Sequence, residues 1–204
     1  LLTRTWLPHL VALPDDLRRR FADYLGGNHL FFLTLAMAAA RALTAWAGRV
    51  PGSSIVTTMA RNATSFGIRL AGSDRWYITA APPVGEALYY SGYGPEDAAA
   101  DIGDSAVLEL VGLGGPAAAN SPAVAAFLGG SMADAARATE VFRRICVGAS
   151  SRFTLPVQGF AGTPVGVDVR AVVELGTTPK VNTGILAAHS GAGQIGRASC
   201  RERV

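Results

Sequence analysis

The sequence predicts an α+β protein: a helical N-terminal segment packed on a small, mostly antiparallel sheet, then further helices and a Gly/Pro-rich α/β segment. Three observations point there. Residues 1–50 carry helix-type apolar spacing, residues 54–79 switch to alternating β-branched and aromatic runs, and the remainder is short apolar runs punctuated by Gly and Pro. Half of the 204 residues are hydrophobic and 16% are charged, which excludes a disordered chain and implies a sizeable core.

Thr3–Ala12 is a short helical pattern with Pro8 inside it, where the ring removes a hydrogen bond and kinks the helix. Pro14-Asp15-Asp16 opens a second helix with acids in its first turn, and Gly26-Gly27 closes it. Asn28 caps the third, Leu30–Ala47, which Gly48 and Pro51 stop. Its Phe31, Leu35, Ala38 and Ala42 are spaced to form one buried face against the sheet. The most apolar stretch, Leu30–Ala40, is too short to span a bilayer, so a buried core helix is expected. No secretory signal precedes Thr3, which places the expected location in the cytoplasm.

Ser54–Met59, Ser65–Leu70 and Trp76–Thr79 read as neighbouring antiparallel strands, with Gly72-Ser73-Asp74 as a turn between the second and third. The loop Ser91–Ala106 follows and concentrates Glu96, Asp97, Asp101 and Asp104 in a charge-poor chain. Asp104-Ser105 stands where a helix N-cap belongs. Helices are then expected over Ser105–Gly112, Ser121–Leu128 and Met132–Val147, the last opened by Ser131 and Asp134 as a capping box. Short apolar runs at Val167–Val173 and Val181–Ala187 complete the chain as far as residue 193.

Gln194–Val204 breaks from this composition and resembles the translation of a sequencing adapter at the end of a metagenomic fragment, so it is expected to pack on nothing. Without it the 18 basic and 15 acidic residues become 15 and 14, and the net charge falls from +3 to +1. That balance argues for neither a nucleic-acid nor a membrane partner. It also leaves Cys146 as a single cysteine, which suits a reducing compartment.

Familiar catalytic motifs are absent: there is no G-x-x-x-x-G-K-[ST], H-E-x-x-H, C-x-x-C or G-x-S-x-G. The G-x-G-x-x-G at Gly191–Gly196 has no helix after it, and Asn62-Ala63-Thr64 matches a glycosylation acceptor by chance. Arg61-Asn62 is the strongest polar pair, since Arg offers a planar donor fork to phosphate or carboxylate and Asn can bond an adjacent carbonyl or amide. The alternative is a strand-end arginine that holds a loop carboxylate. Glu96, Asp97, Asp101 and Asp104 have no metal-loop spacing, and capping or salt bridging is the stronger reading. His9 and His29 are lone histidines on helices, and Asn182-Thr183-Gly184 is either a ligand-facing turn or an ordinary one. No metal or cofactor is assigned.

Five stretches read together resemble one family. They are Leu30–Ala42 (LFFLTLAMAAARA), Val56–Gly72 (VTTMARNATSFGIRLAG), Tyr90–Ala106 (YSGYGPEDAAADIGDSA), Gly162–Arg170 (GTPVGVDVR) and Val181–Ile185 (VNTGI). The family is the AllG/YlbE-like one, and the resemblance runs over residues 1–193 as the C-terminal part of the family's length. It implies a subunit of an oxamate carbamoyltransferase that converts oxalurate and phosphate to oxamate and carbamoyl phosphate in allantoin and purine catabolism. The implied partners are two other subunit types, and the implied ligands are phosphate and oxamate or oxalurate. Arg61, Asn62 and Asp104 are the candidate catalytic residues, with Thr64, Glu96, Asp97, Asn182 and Thr183 as candidate substrate-binding residues. Such chemistry needs electrostatic clamping of phosphate more than a nucleophile. The alternative is a non-catalytic scaffold or small-anion-binding subunit. His29-Leu30, where the family has Asp-His, and Thr34, where it has Asn, depart from the pattern.

Overall fold

A computed structural model of the chain describes residues 2–28, 30–81, 86–100, 103–121, 131–189 and 193–201. It divides into two compact units, residues 1–36 and 37–204. The helix expected at 121–128, together with His29 and Asp101, lies largely or wholly outside the described residues.

The first unit is helical. Helix α1 (Leu2–Val11) contains Pro8, α2 (Asp15–Gly27) carries Asp15 and Asp16 in its first turn, and α3 (Phe31–Ala47) begins here. Asn28 serves as the expected cap, its Oδ1 accepting the Leu30 N–H at 3.1 Å. Phe31 meets Trp6, Phe21 and Tyr24 edge-on, with ring centroids 5.3–6.2 Å apart. Its aromatic partners thus belong to the helical unit. The buried residues of α3 are Ala40 and Thr44, and Ala38 and Ala42 are exposed. A helix apolar on every side gives its periodicity no power to choose a face.

The second unit starts with an antiparallel sheet ordered β1 (Val56–Arg61), β2 (Ser65–Leu70), β3 (Tyr77–Ala80), as the alternating runs predict. Met59 pairs with Ile68 and Arg61 with Phe66 on its core face; Thr58 pairs with Arg69 and Ala60 with Gly67 on the other. Strand β4 (Glu86–Tyr89) follows. The acidic loop contains a 3₁₀ turn at Pro95–Asp97, and a 3₁₀ helix runs over Asp104–Val111 where an α-helix was expected. A further 3₁₀ helix, Gly115–Asn120, occupies the stretch read as punctuation.

Helix α4 (Met132–Ile145) has the predicted capping box, with Ser131 and Asp134 exchanging hydrogen bonds. The chain then turns directly into β5 (Cys146–Leu155), so Cys146 opens a strand rather than sitting inside a helix. β5 pairs with β6 (Ala161–Val167), and a short helix α5 (Val169–Glu174) leads to β7 (Lys180–Leu186).

The final strand is a correction. Gln194–Arg201 forms β8 and lies between β4 and β7, with Ile195 and Ala198 fully buried. Pairing uses the backbone, and Ile195 and Ala198 fall on the apolar face, so a shift in composition is no barrier to incorporation. Ile185, Ile195 and Ala198 form one small core. The main core joins Val56, Met59 and Phe66 of the first sheet to Ala106 and Leu110, Phe142 and Ile145, Val167, Val172 and Val181. The Asp104–Val111 segment therefore sits between β1, β6 and β7.

Candidate functional site

The position of that buried 3₁₀ segment decides which of the predicted residues meet. Gly103, at its start, has the left-handed φ of 56°, and its backbone lies against the Arg61 side chain: a Cβ built there would stand 2.8 Å from Arg61 Cβ. Arg61 is 5% exposed on the core face of β1, at the end of the acidic loop. Arg61 was expected to face a cleft shared with the Gly92–Asp104 loop; of that loop, Gly103 lies against its side chain.

Asn62 follows the last residue of β1 and belongs to the turn. Its Oδ1 accepts the Ser65 N–H at 2.8 Å and the Thr64 hydroxyl at 3.3 Å, and its own N–H donates to Ser65 O at 3.0 Å. With Ala63 at φ 75°, these bonds close the β1–β2 hairpin. Asn62 and Thr64 are thus brought together as turn residues. A cleft of about 270 Å³ does open beside Arg61 and Asn62, yet its other walls among the described residues are Ala60, Ser65, Gly67, Trp76 and Ile78 of the outer sheet face, not the acidic loop.

The carboxylates separate. Asp97 accepts the Gly94 N–H at 2.9 Å and so closes its own turn, whose Ala99 N–H reaches Leu186 O at 2.8 Å on β7. Glu96 and Asp104 are exposed. Gly103, not Asp104, is the residue that caps the 3₁₀ helix, and it brings no side-chain bond. Among the described residues no three of His, Cys, Asp and Glu are grouped to hold a metal.

Asn182 and Thr183 lead to a residue that sequence reasoning passed over. The Asn182 N–H donates to Glu109 Oε1 at 3.3 Å, and the Gly115 N–H donates to Oε2 at 2.5 Å. Glu109 is 2% exposed, and burial pushes its pKa up to about 8 against the lowering effect of those two bonds. A carboxyl group near neutrality in its titration can take or release a proton under physiological conditions. The same group ties the Gly114-Gly115 turn to β7 at Asn182. The one available signal was a solitary acid inside the apolar run Ala106–Val111, followed at once by Gly-Leu-Gly-Gly.

Elsewhere, Asp168 caps α5, its carboxylate accepting the Arg170 N–H at 2.9 Å. Burial opposes ionisation there, but hydrogen bonds from Ser54 and Arg170 outweigh it and hold the pKa below the ordinary value. Burial pushes the Cys146 thiol up to about 12, which removes it as a nucleophile. No single helix among the described residues is long and apolar enough to cross a membrane.

Comparison with known proteins places this architecture. Residues 1–105 match the family described as oxamate carbamoyltransferase subunit AllG. The Escherichia coli K12 protein of that name is 38% identical over 98% of the chain and 49% of its own length. The uncharacterized protein YahG of the same strain is 36% identical over 88% of the chain and 38% of its own length. A crystal structure of a conserved protein of unknown function from Enterococcus faecalis V583 superposes with a TM-score of 0.90 at 33% identity, covering the whole chain and 49% of that protein. The chain thus spans about half the length of these relatives or less. On a match to half the chain and identity sustained over nearly all of it, the chain belongs to the AllG family.

Proposed function

We propose that this chain is part of a subunit of an oxamate carbamoyltransferase. The similarity of 98% of the chain to a protein named as such a subunit carries the reading. The reaction is phosphorolysis of oxalurate. A phosphate oxygen attacks the carbamoyl carbon, the bond from that carbon to the oxamate nitrogen breaks, and the nitrogen keeps the electron pair and takes the phosphate's proton. The products are carbamoyl phosphate and oxamate. Both substrates are anions, so the site must neutralise charge before it can align them. The reaction would belong to allantoin and purine breakdown in the cytoplasm, with other subunit types completing the assembly.

Arg61 is the proposed anion clamp, supported by its seat under Gly103. Asn182, whose N–H is held by Glu109, and its neighbour Thr183 are proposed to contribute to the substrate-facing surface. Asn62 and Thr64 shape the hairpin that carries Arg61, and Asp97 shapes the loop beside β7. Glu96 and Asp104, both exposed, remain proposed contacts for substrate or for a partner subunit.

A scaffold reading has one observation in its favour, the near-complete burial of Arg61. Calorimetric titration of the complete assembly with phosphate, oxamate and carbamoyl phosphate separates the two. Arg61→Lys keeps the charge and loses the bidentate fork, so it is expected to weaken anion binding about tenfold or more. Unchanged affinities in that variant would make Arg61 structural and leave the scaffold reading.

A further inference from the structure

The outer face of the first sheet carries a feature that the carbamoyl-transfer reading does not use. Beyond Ala60 and Gly67 the face ends in Thr58 and Arg69, paired across β1 and β2. The second half of α3 and the turn after it lie over this end and enclose a cleft of about 440 Å³. Arg41, Arg49 and Arg69 line it with Thr57 and Thr58, and among the described residues Asp74 is its one carboxylate.

The cleft is built rigidly. The Gly72 N–H donates to Gly48 O at 2.8 Å and pins the β2–β3 turn to the end of α3. Gly72 has φ 68°, and a Cβ there would lie 2.5 Å from Pro51 Cα, so only glycine permits the closure. Thr57 is buried and donates to Arg69 O at 3.3 Å, beside the irregularity in the β1–β2 register. Thr58 is also buried.

The three guanidinium groups are held differently. Arg69 donates to Asp74 at 2.6 Å and to Ser73 O at 3.4 Å, with Trp76 5.8 Å away. Arg49 stacks on Trp46, 4.0 Å from the ring centroid, which orients its fork without consuming its donors. Arg41 has no carboxylate within ion-pair distance among the described residues. Three arginines against one described carboxylate, two of them oriented by Asp74 and Trp46, beside a buried Thr58, make an environment for a tetrahedral oxyanion.

We propose that this cleft binds a small phosphate-bearing anion through Arg41, Arg49 and Thr58, with Arg69 as the third cation. It contains neither Arg61 nor any residue of the acidic loop, so its test is independent of the carbamoyl-transfer reading.

Tryptophan fluorescence of the full polypeptide reads the site directly, because Trp46 and Trp76 touch two of the arginines. Inorganic phosphate and phenyl phosphate are titrated at constant ionic strength, with chloride and oxalate as comparison anions. A saturable change with at least one phosphate is expected, in the presence of chloride. The pair Arg41→Gln and Arg49→Gln should weaken it about tenfold or more, which is a loss of about 1.4 kcal/mol or more. Arg152→Gln, at an exposed position on β5, should leave it unchanged. A response that merely follows ionic strength, equal affinity in the double variant, or tighter binding of oxalate than of either phosphate overturns the proposal. If the double variant fails to fold, Thr58→Val is the substitute, and its expected loss is severalfold. Full retention of affinity there likewise overturns it. Phenyl phosphate binding with no phosphate response identifies the ligand as an organic phosphate, and the reverse identifies free phosphate.

Discussion

Glu109 offers a test of the candidate site that needs neither substrate nor partner. In the folded chain its pKa is about 8; the ordinary value is 4.5. The folded state therefore holds a proton that the unfolded state releases between these values. Stability relative to a non-titrating side chain is greatest below about pH 4.5, declines as pH rises, and levels off above about pH 8. The slope is about 1.4 kcal/mol per pH unit inside that window. Glu109→Gln keeps the volume and one acceptor but cannot ionise. It also sets an amide N–H₂ group against either Gly115 N–H or Asn182 N–H, at a fixed cost of about 1–3 kcal/mol. The fixed cost cancels when the two proteins are compared across pH. Urea unfolding at pH 5.5 and 7.5 is expected to show the variant gaining roughly 3 kcal/mol on the wild type over those two units. Parallel pH profiles would refute the reasoning, because they would mean that Glu109 ionises in the folded chain as freely as in water. A variant less stable by the same amount at both pH values would assign Glu109 a purely hydrogen-bonding role.

Three further outcomes are expected. Ile195→Ala should cost about 2–4 kcal/mol in urea unfolding, since Ile195 is fully buried in the β4–β8–β7 core; an unchanged midpoint would return β8 to the unpacked tail that composition suggested. Gly103→Ala places a methyl group at φ 56° against Arg61 and should cost about 2–3 kcal/mol, read as a lower melting temperature. Cys146, with a thiol pKa of about 12, should resist iodoacetamide in the native chain at pH 7.5, and peptide mapping that finds it labelled would contradict its burial.

Local rules carried much of the fold. Asn28 caps α3, Ser131 and Asp134 form the capping box of α4, and Ser65–Leu70 is a strand with the predicted bounds, because these features depend on residues a few positions apart. The helix that was expected through Val147 ends at Ile145 for a different reason: β-pairing with Val165 and Val167 claims Cys146 and Gly148, and no local signal announces a partner 17–21 residues away. β4 and β8 were missed on the same ground, since each is stabilised by strands distant in sequence.

The site divides along the same line. The sequence alone put Arg61 and Asn62 side by side at the end of the first strand. The strand then ended at Arg61, and the hairpin claimed Asn62 and Thr64. Only the tertiary structure brought Glu109 to Asn182, 73 positions away, and only burial there raised its pKa. Likewise Arg41, Arg49 and Arg69 are ordinary surface cations in one dimension, and the Gly72–Gly48 hydrogen bond folds them around one cleft. Hydrogen-bond and capping preferences act over a turn and can be read from neighbours. Desolvation and the convergence of charge depend on which distant surfaces meet, and that is decided by the packing of the whole unit.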